Sequence, residues 1–284
     1  MEPMDTNQAP PPAFPEPATA MGTTVTSAHA AIAPMWHTLL LVAGIAVLSV
    51  EGARELSGPN ATALDSNKLV TYATTIGSEL LMLAWVWFGL RLRKVPFRSL
   101  FGDLSGGFKS FFLDLGIAAA FWIGAMMVLM TAAVMWLITD SAIHHRPLIP
   151  HGGKSAPVDP TQQHTVQTLA ALAPSNAREI AAWALVCIMA GLIEELVFRG
   201  YLLRQFTAWS RGIAVSGVLF SSIVFGAAHG YQGIRNMVLL TLFGSLFALL
   251  AVFRRNLRVG MFAHAWHDFI VGMALALLKW KHLI

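Results

Sequence analysis

The stretch GLIEELVFRG, residues 191–200, sets two adjacent carboxylates and a guanidinium inside a run that otherwise reads as lipid-soluble helix. An ionised side chain at the centre of a bilayer costs about 2.5–3.5 kcal/mol on insertion scales, so such residues face the bundle interior and act there. The membrane setting follows from the rest of the chain. Of 284 residues 56% are hydrophobic and only 12% charged, against roughly a quarter charged in a soluble domain, and the mean hydropathy is +0.61. The expected fold class is therefore all-α, a polytopic membrane bundle.

A spanning helix needs about 20 apolar residues. Such runs fall at about 34–50, 69–90, 113–138, 178–203, 213–229, 236–253 and 259–278, which makes seven spans, with an eighth if 200–212 dips into the membrane. Residues 1–33, with QAPPPAFPEPATA and no Lys or Arg, lack the basic start of a secretory signal and read as a disordered tail. Residues 34–139 hold three accessory helices and 178–278 the core, with a short tail at 279–284. Between them, 140–177 is expected to be a polar extracytoplasmic loop. Its HHRPLIPHGGKSAPVDP, residues 144–160, argues against any helix there. Asn176 followed by Glu179 has the spacing of a capping box at the start of the fourth span.

The basic residues cluster in RLRKVPFR (91–98), at Arg204 and Arg211, and in RRNLR (254–258). The positive-inside rule puts these three loops, and with them the N-terminus, on the cytoplasmic side. The same placement explains the net charge of +4 without nucleic acid, which is not an expected partner. A multi-pass position in a bacterial inner membrane is expected, with the lipid bilayer and a membrane-associated peptide or protein as partners. Oligomeric state is not set by the sequence. The single cysteine, Cys187, excludes an intrachain disulfide and a cysteine metal cluster.

Intramembrane polar residues concentrate in the last hundred positions. At about 100° per residue, Glu195 and Arg199 form an i, i+4 pair on one helix face, while Glu194 lies about 140° from Arg199. A carboxylate held by a guanidinium is a poor base, and one without a cation can carry a proton in both directions. Glu194 is thus the expected general base, with Glu195 and Arg199 its structural support. His264 and Asp268 share a face in the seventh span, His267 lies nearby, and His229 ends the fifth. Taken singly, each has a plain explanation as a clasp, a cap or an interhelical pair. Glu79 and Asp114 are expected to satisfy bundle contacts or to lie near an interface.

EELVFR (194–199), FGAAH (225–229) and HAWHD (264–268) resemble, in order, the EExxxR, FxxxH and HxxxN/D motifs of the CPBP family of intramembrane endopeptidases. That family, also called Abi, includes the CAAX prenyl endopeptidases and bacterial members linked to bacteriocin immunity. The resemblance covers about 178–278 and implies that Glu194 and His229 activate water while His264 and Asp268 hold or polarise the scissile carbonyl. It also implies that Phe225 packs the cavity wall. Many members have Asn where this chain has Asp268, and an ionised Asp cannot donate to an oxyanion. Here it either stays protonated or orients His264.

Zinc is the one cofactor to weigh, because Glu194, His229 and His264 could hold it with an open position for water. No HExxH is present, and a Glu–His pair can activate water without metal. The expected activity is an intramembrane endopeptidase with its cavity open toward the cytoplasmic leaflet and no covalent intermediate. A proton- or ion-coupled transporter and a non-catalytic immunity or scaffold protein are the rivals. One difficulty is depth. With straight spans, His229 and His264 lie on the order of 20 Å apart along the membrane normal, unless a re-entrant or strongly tilted segment between about 200 and 235 removes the offset.

Overall fold

The computed structural model describes residues 30–57, 67–105, 107–145 and 160–283. The helices are α1 (Met35–Ser57), α2 (Lys68–Leu92), α3 (Gly107–Ile143), α4 (Pro160–Leu172), α5 (Ala177–Glu194), α6 (Leu203–Trp209), α7 (Ala214–Ala228), α8 (Gly233–Arg254) and α9 (Arg258–Trp280). Among the described residues there is no strand beyond one isolated bridge, Gly102 to Asn256. Six helical runs are long and apolar enough to cross a membrane. The fold is an all-α polytopic helix bundle.

Two of the seven expected spans behave unlike simple rods. The fourth is one continuous run, Ala177–Trp209, in which α5 and α6 are joined by a π-helical segment, Glu195–Leu202. Its wider turn shows in the Leu203 N–H, which reaches back five residues to the Phe198 carbonyl. The fifth, α7, has only 15 residues, about 22 Å at 1.5 Å per residue, short of a hydrocarbon core about 30 Å thick. It therefore stops inside the bundle, and His229 is its C-terminal cap.

The expected helix-free loop contains α4. Proline and glycine crowd its first half, but after Pro160 the sequence TQQHTVQTLAAL has neither, and Pro is well suited to the first position of a helix. Residues 146–159, with His151, lie outside the described residues. Of the expected disordered tail, residues 1–29 also lie outside them. Ile32 and Ala33 are packed instead: their N–H groups donate to Gln205 Oε1 at 2.9 and 3.3 Å, and Gln205 Nε2 donates to the Ala33 carbonyl at 2.7 Å.

The three basic loops share one end of the bundle. The Leu257 N–H donates to the Phe101 carbonyl at 3.1 Å and the Asp103 N–H to that of Arg255 at 3.0 Å. Arg204 Nη1 donates to the Ser99 carbonyl at 2.9 Å. Gly102 is required there, because its φ is +74° and a side chain would strike the Arg255 carbonyl. Asp114, fully buried at the start of α3, accepts from Arg254 Nη2 at 2.6 Å and Arg258 Nε at 2.5 Å. This acid thus ties α3 to the α8–α9 turn. At this end α1 enters through His37 and Thr38, which both hydrogen-bond the Tyr201 hydroxyl, at 2.9 and 2.7 Å.

At the opposite end, the Asn176 side chain caps α5 by accepting from the N–H groups of Arg178 and Glu179. Glu179 in turn accepts from the Ser175 N–H at 2.7 Å, close to the capping box the spacing predicts.

The α5–α9 crossing is set by Gly191. A Cβ at this position would lie 2.8 Å from the Ala265 nitrogen and 2.9 Å from the Met261 carbonyl oxygen, backbone atoms that cannot swing aside. Gly191→Ala is expected to destabilise the fold by about 1–3 kcal/mol, the usual cost of overpacking. Gly116→Ala, where nothing lies within 4 Å, is expected to leave the unfolding midpoint in detergent unchanged or raised. Equal midpoints for the two variants would refute the close crossing.

Candidate active site

The chain reverses between α6 and α7 at residues 210–213. Glu194 stands about 15 residues before this turn and His229 about 15 after it, so an antiparallel pair of helices brings them to one level. The ring of Phe198 against that of Phe225, centroids 5.0 Å apart, shows the same register. On the other side, Gly191 lets α9 approach so closely that His264 meets Glu194 at the end of α5 and Glu195 at the start of the π-helical segment. Phe225 lies between the two histidines, its ring centroid 4.9 Å from that of His229 and 6.0 Å from that of His264. The depth offset of straight spans is removed by the short α7 and the long run before it.

Arg199 is buried and holds Glu195 Oε1 through Nη1 at 2.8 Å. Its guanidinium lies 4.3 Å from the Phe225 ring centroid and 5.4 Å from that of Phe247, a geometry in which a cation is attracted to the ring face. The predicted i, i+4 clasp is present. Sequence reasoning missed its second half: Glu195 Oε1 also lies 3.0 Å from His264 Nδ1. Glu195 fixes the imidazole, the role that the spacing offered to Asp268. The other ring nitrogen, Nε2, lies 3.7 Å from Glu194 Oε2 and 3.8 Å from Asp268 Oδ2. Both glutamates therefore reach His264, one from each side, although a regular helical wheel separates them.

His229 Nδ1 donates to the Phe225 carbonyl at 2.9 Å. A carbonyl can only accept, so in the neutral ring Nε2 carries the lone pair. Glu194, His229, His264 and Asp268 all line one cavity of about 280 Å³, and Phe225 forms part of its wall. His267 lines it too, its Nδ1 buried without a hydrogen-bond partner and its ring 4.8 Å from Phe243. So does Glu79 of α2. Its sequence signal was a lone acid in an apolar span.

Among the described residues no group of three His, Cys, Asp or Glu side chains is placed to hold a metal ion. His264 and His229 each commit Nδ1 to an oxygen and keep Nε2 free, which is also how a ligating imidazole is held.

The cavity occupies the half of the bundle away from the basic loops. Its walls use the first half of α2, the end of α4, α5 before the π segment, the end of α7 and α9 beyond His264. The other half is closed by Leu90, Val197, Tyr201, Phe247 and Leu257, all buried. A cytoplasmic position for the basic loops and a cavity open to the cytoplasmic leaflet thus exclude one another. The loop charges are the stronger constraint, since orientation follows Lys and Arg near span ends.

The fold and this cavity define a multi-pass membrane protein that keeps acid and imidazole groups inside a helix bundle. Residues 176–270 match the family described as type II CAAX prenyl endopeptidase Rce1-like. The match takes in all three motifs and leaves α1 to α4 outside. No curated protein and no solved structure matches the chain.

Removing Arg199 would leave Glu195 buried without its cation. Arg199→Met is expected to cost about 3–5 kcal/mol of stability, and Glu195→Leu combined with Arg199→Met to recover much of it. Unfolding midpoints in detergent decide this, and a neutral Arg199→Met would contradict the buried clasp. The orientation has its own check. A cysteine at Thr71 should react with a membrane-impermeant maleimide only from the extracytoplasmic side, and one at Arg255 only from the cytoplasm. The reverse pattern would turn the bundle over.

Proposed function

We propose that the protein is an intramembrane endopeptidase that hydrolyses a peptide bond of a membrane-associated protein or peptide, with Glu194 as general base and no metal in the chemical step. The observation that carries the reading is the convergence of Glu194, His229, His264 and Asp268 on one cavity, although they come from three helical runs. Convergent polar groups in a mostly apolar pocket are the usual form of a catalytic site.

In this mechanism a water between Glu194 and His229 gives a proton to the Glu194 carboxylate while its oxygen attacks the scissile carbonyl carbon. The free lone pair on His229 Nε2 orients that water. The carbonyl electrons move onto oxygen. His264 in its doubly protonated form uses Nδ1–H on Glu195 and has Nε2–H left for this oxyanion. When the tetrahedral intermediate collapses, the C–N bond breaks, Glu194 returns its proton to the leaving nitrogen, and an acid and an amine are released. Asp268, beside Nε2, acts on the orientation and charge of His264. Among the described residues no Ser or Cys lines the cavity, and Thr71 and Thr75 lie along α2, which supports direct attack by water over a covalent route.

The test is cleavage of a fluorogenic peptide library by the purified chain in nanodiscs. Glu194→Gln and His229→Ala are each expected to lower the rate by about 10²–10⁴-fold, and His264→Ala by about 10²–10³-fold or more. A chelator should leave the wild-type rate unchanged. Loss of activity with chelator and its return with zinc would overturn the metal-free step. Full cleavage by Glu194→Gln would overturn the assignment of the base. A wild type that cuts nothing, with a cellular phenotype that survives Glu194→Gln, would favour a non-catalytic partner protein.

A further inference from the structure

The mechanism leaves one acid of the cavity unused. Glu79 is 6% exposed, it lines the cavity, and its Oε2 is buried with no hydrogen-bond partner among the described residues. It lies in α2, outside the matched residues 176–270, so the catalytic motifs do not account for it.

On its own helix, the hydroxyls that share the cavity face with Glu79 act as acceptors rather than donors. Thr71, Thr75 and Glu79 fall at i, i+4 and i+8 on one face of α2, and all three line the cavity. The Thr75 hydroxyl donates to the Thr71 carbonyl at 2.9 Å, and that of Thr71 to the Asn67 carbonyl at 3.5 Å. With their protons spent on the helix backbone, both hydroxyls present lone pairs to the cavity. Among the described residues the cavity is lined by three carboxylates, Glu79, Glu194 and Asp268, and by no Lys or Arg. Of the three acids, Glu194 and Asp268 face His264. Among the described residues Glu79 has no ion-pair partner of its own and feels the charge of His264 only from beyond contact. A buried carboxylate without a cation is costly, and an ammonium or guanidinium brought by a ligand relieves that cost.

Depth fixes where the cation sits on a bound chain. Lys68 pairs with Glu179 and the Tyr72 ring packs on that of Trp183, centroids 5.5 Å apart. The same offset in residue number along α2 and α5 sets Glu79 beside Ala190, one helical turn or about 5–6 Å from Glu194. An extended peptide advances about 3.3 Å per residue, so this step corresponds to no more than about two residues.

We propose that Glu79, with Thr75 one turn away, is a specificity subsite for a Lys or Arg side chain within two residues of the scissile bond. The proposal rests on the endopeptidase reading, in that the cavity receives a peptide. Ligand choice then lies with the helix outside the matched segment, and bond cleavage with the helices inside it.

The experiment uses the full chain in nanodiscs and fluorescein-labelled Leu/Ala decapeptides that differ only at a central Lys, Arg, norleucine or Glu. Binding is read by anisotropy and cleavage by mass spectrometry. The wild type is expected to bind the Lys and Arg peptides at least tenfold more tightly than the norleucine peptide. That ratio should fall to within twofold in Glu79→Gln, persist in Glu79→Asp, and give way to preference for the Glu peptide in Glu79→Lys. Thermal unfolding of each variant separates loss of the subsite from loss of the fold. A wild type without charge preference, a preference that survives Glu79→Gln in folded protein, or no peptide binding at all would overturn the proposal. Peptides bound with the expected preference but never cut would count against the endopeptidase reading alone. Peptides cut without preference would count against the subsite alone.

Discussion

The arrangement depends on a single buried chain of charges, Arg199 to Glu195 to His264. Each link removes a problem the previous one creates. Arg199 is buried, so it needs an anion at hydrogen-bond distance, and Glu195 supplies it at 2.8 Å. The same Glu195 oxygen lies 3.0 Å from His264 Nδ1 and so fixes one face of an imidazole that would otherwise rotate. Phe225 and Phe247 lie on the guanidinium and exclude water from beneath it. In low dielectric such a chain is stiff, because breaking any link leaves an unpaired charge in apolar surroundings. A site that needs an imidazole nitrogen aimed at a reacting oxygen gains from that stiffness.

Steric economy lets the chain close. Gly191 and Gly260 stand one turn apart in level across the α5–α9 contact. A Cβ on Gly191 would meet the α9 backbone, and one on Gly260 would come within 2.9 Å of Glu195 Oε2. The two glycines admit the carboxylate into the helix interface. Gly226 does the same between α7 and α8, where a side chain would strike Thr241. Close helix approach through small residues is the general way membrane helices associate, and here it also determines how near the polar groups come.

Much of this was legible in the sequence, and the reasons differ from element to element. Hydropathy located the apolar helices because the bilayer imposes a length on them. The Glu195–Arg199 clasp was legible from i, i+4 spacing, and it holds within the π-helical segment. Three things were not legible. The widened turn after Glu194 leaves no mark in composition, so the wheel that parted Glu194 from Glu195 overstated their separation at His264. The 15 residues of α7 fall below a span by only a few residues, within the latitude of hydropathy boundaries, yet those few decide where His229 ends. Helix α4 was hidden by averaging over a loop whose prolines and glycines lie mostly before it. The side on which the cavity lies is a tertiary property and needed the ends of all the helices together.

The division between matched and unmatched residues has a physical sense. The helices of 176–270 carry the groups that must hold fixed distances to one another, and each is locked by contacts inside that segment. Helices α2 and α4 complete the cavity from outside it, and they are tied on at its far end. Lys68 donates to Ser175 Oγ at 2.5 Å, and the Tyr72 hydroxyl donates to the Leu172 carbonyl. These ties fix where α2 stands without touching the Arg199–Glu195–His264 chain. Side chains on the cavity face of α2 can therefore change without disturbing the charges that position His264. A core with rigid internal distances beside a separately anchored wall lets one chemistry serve cavities of different shape and charge.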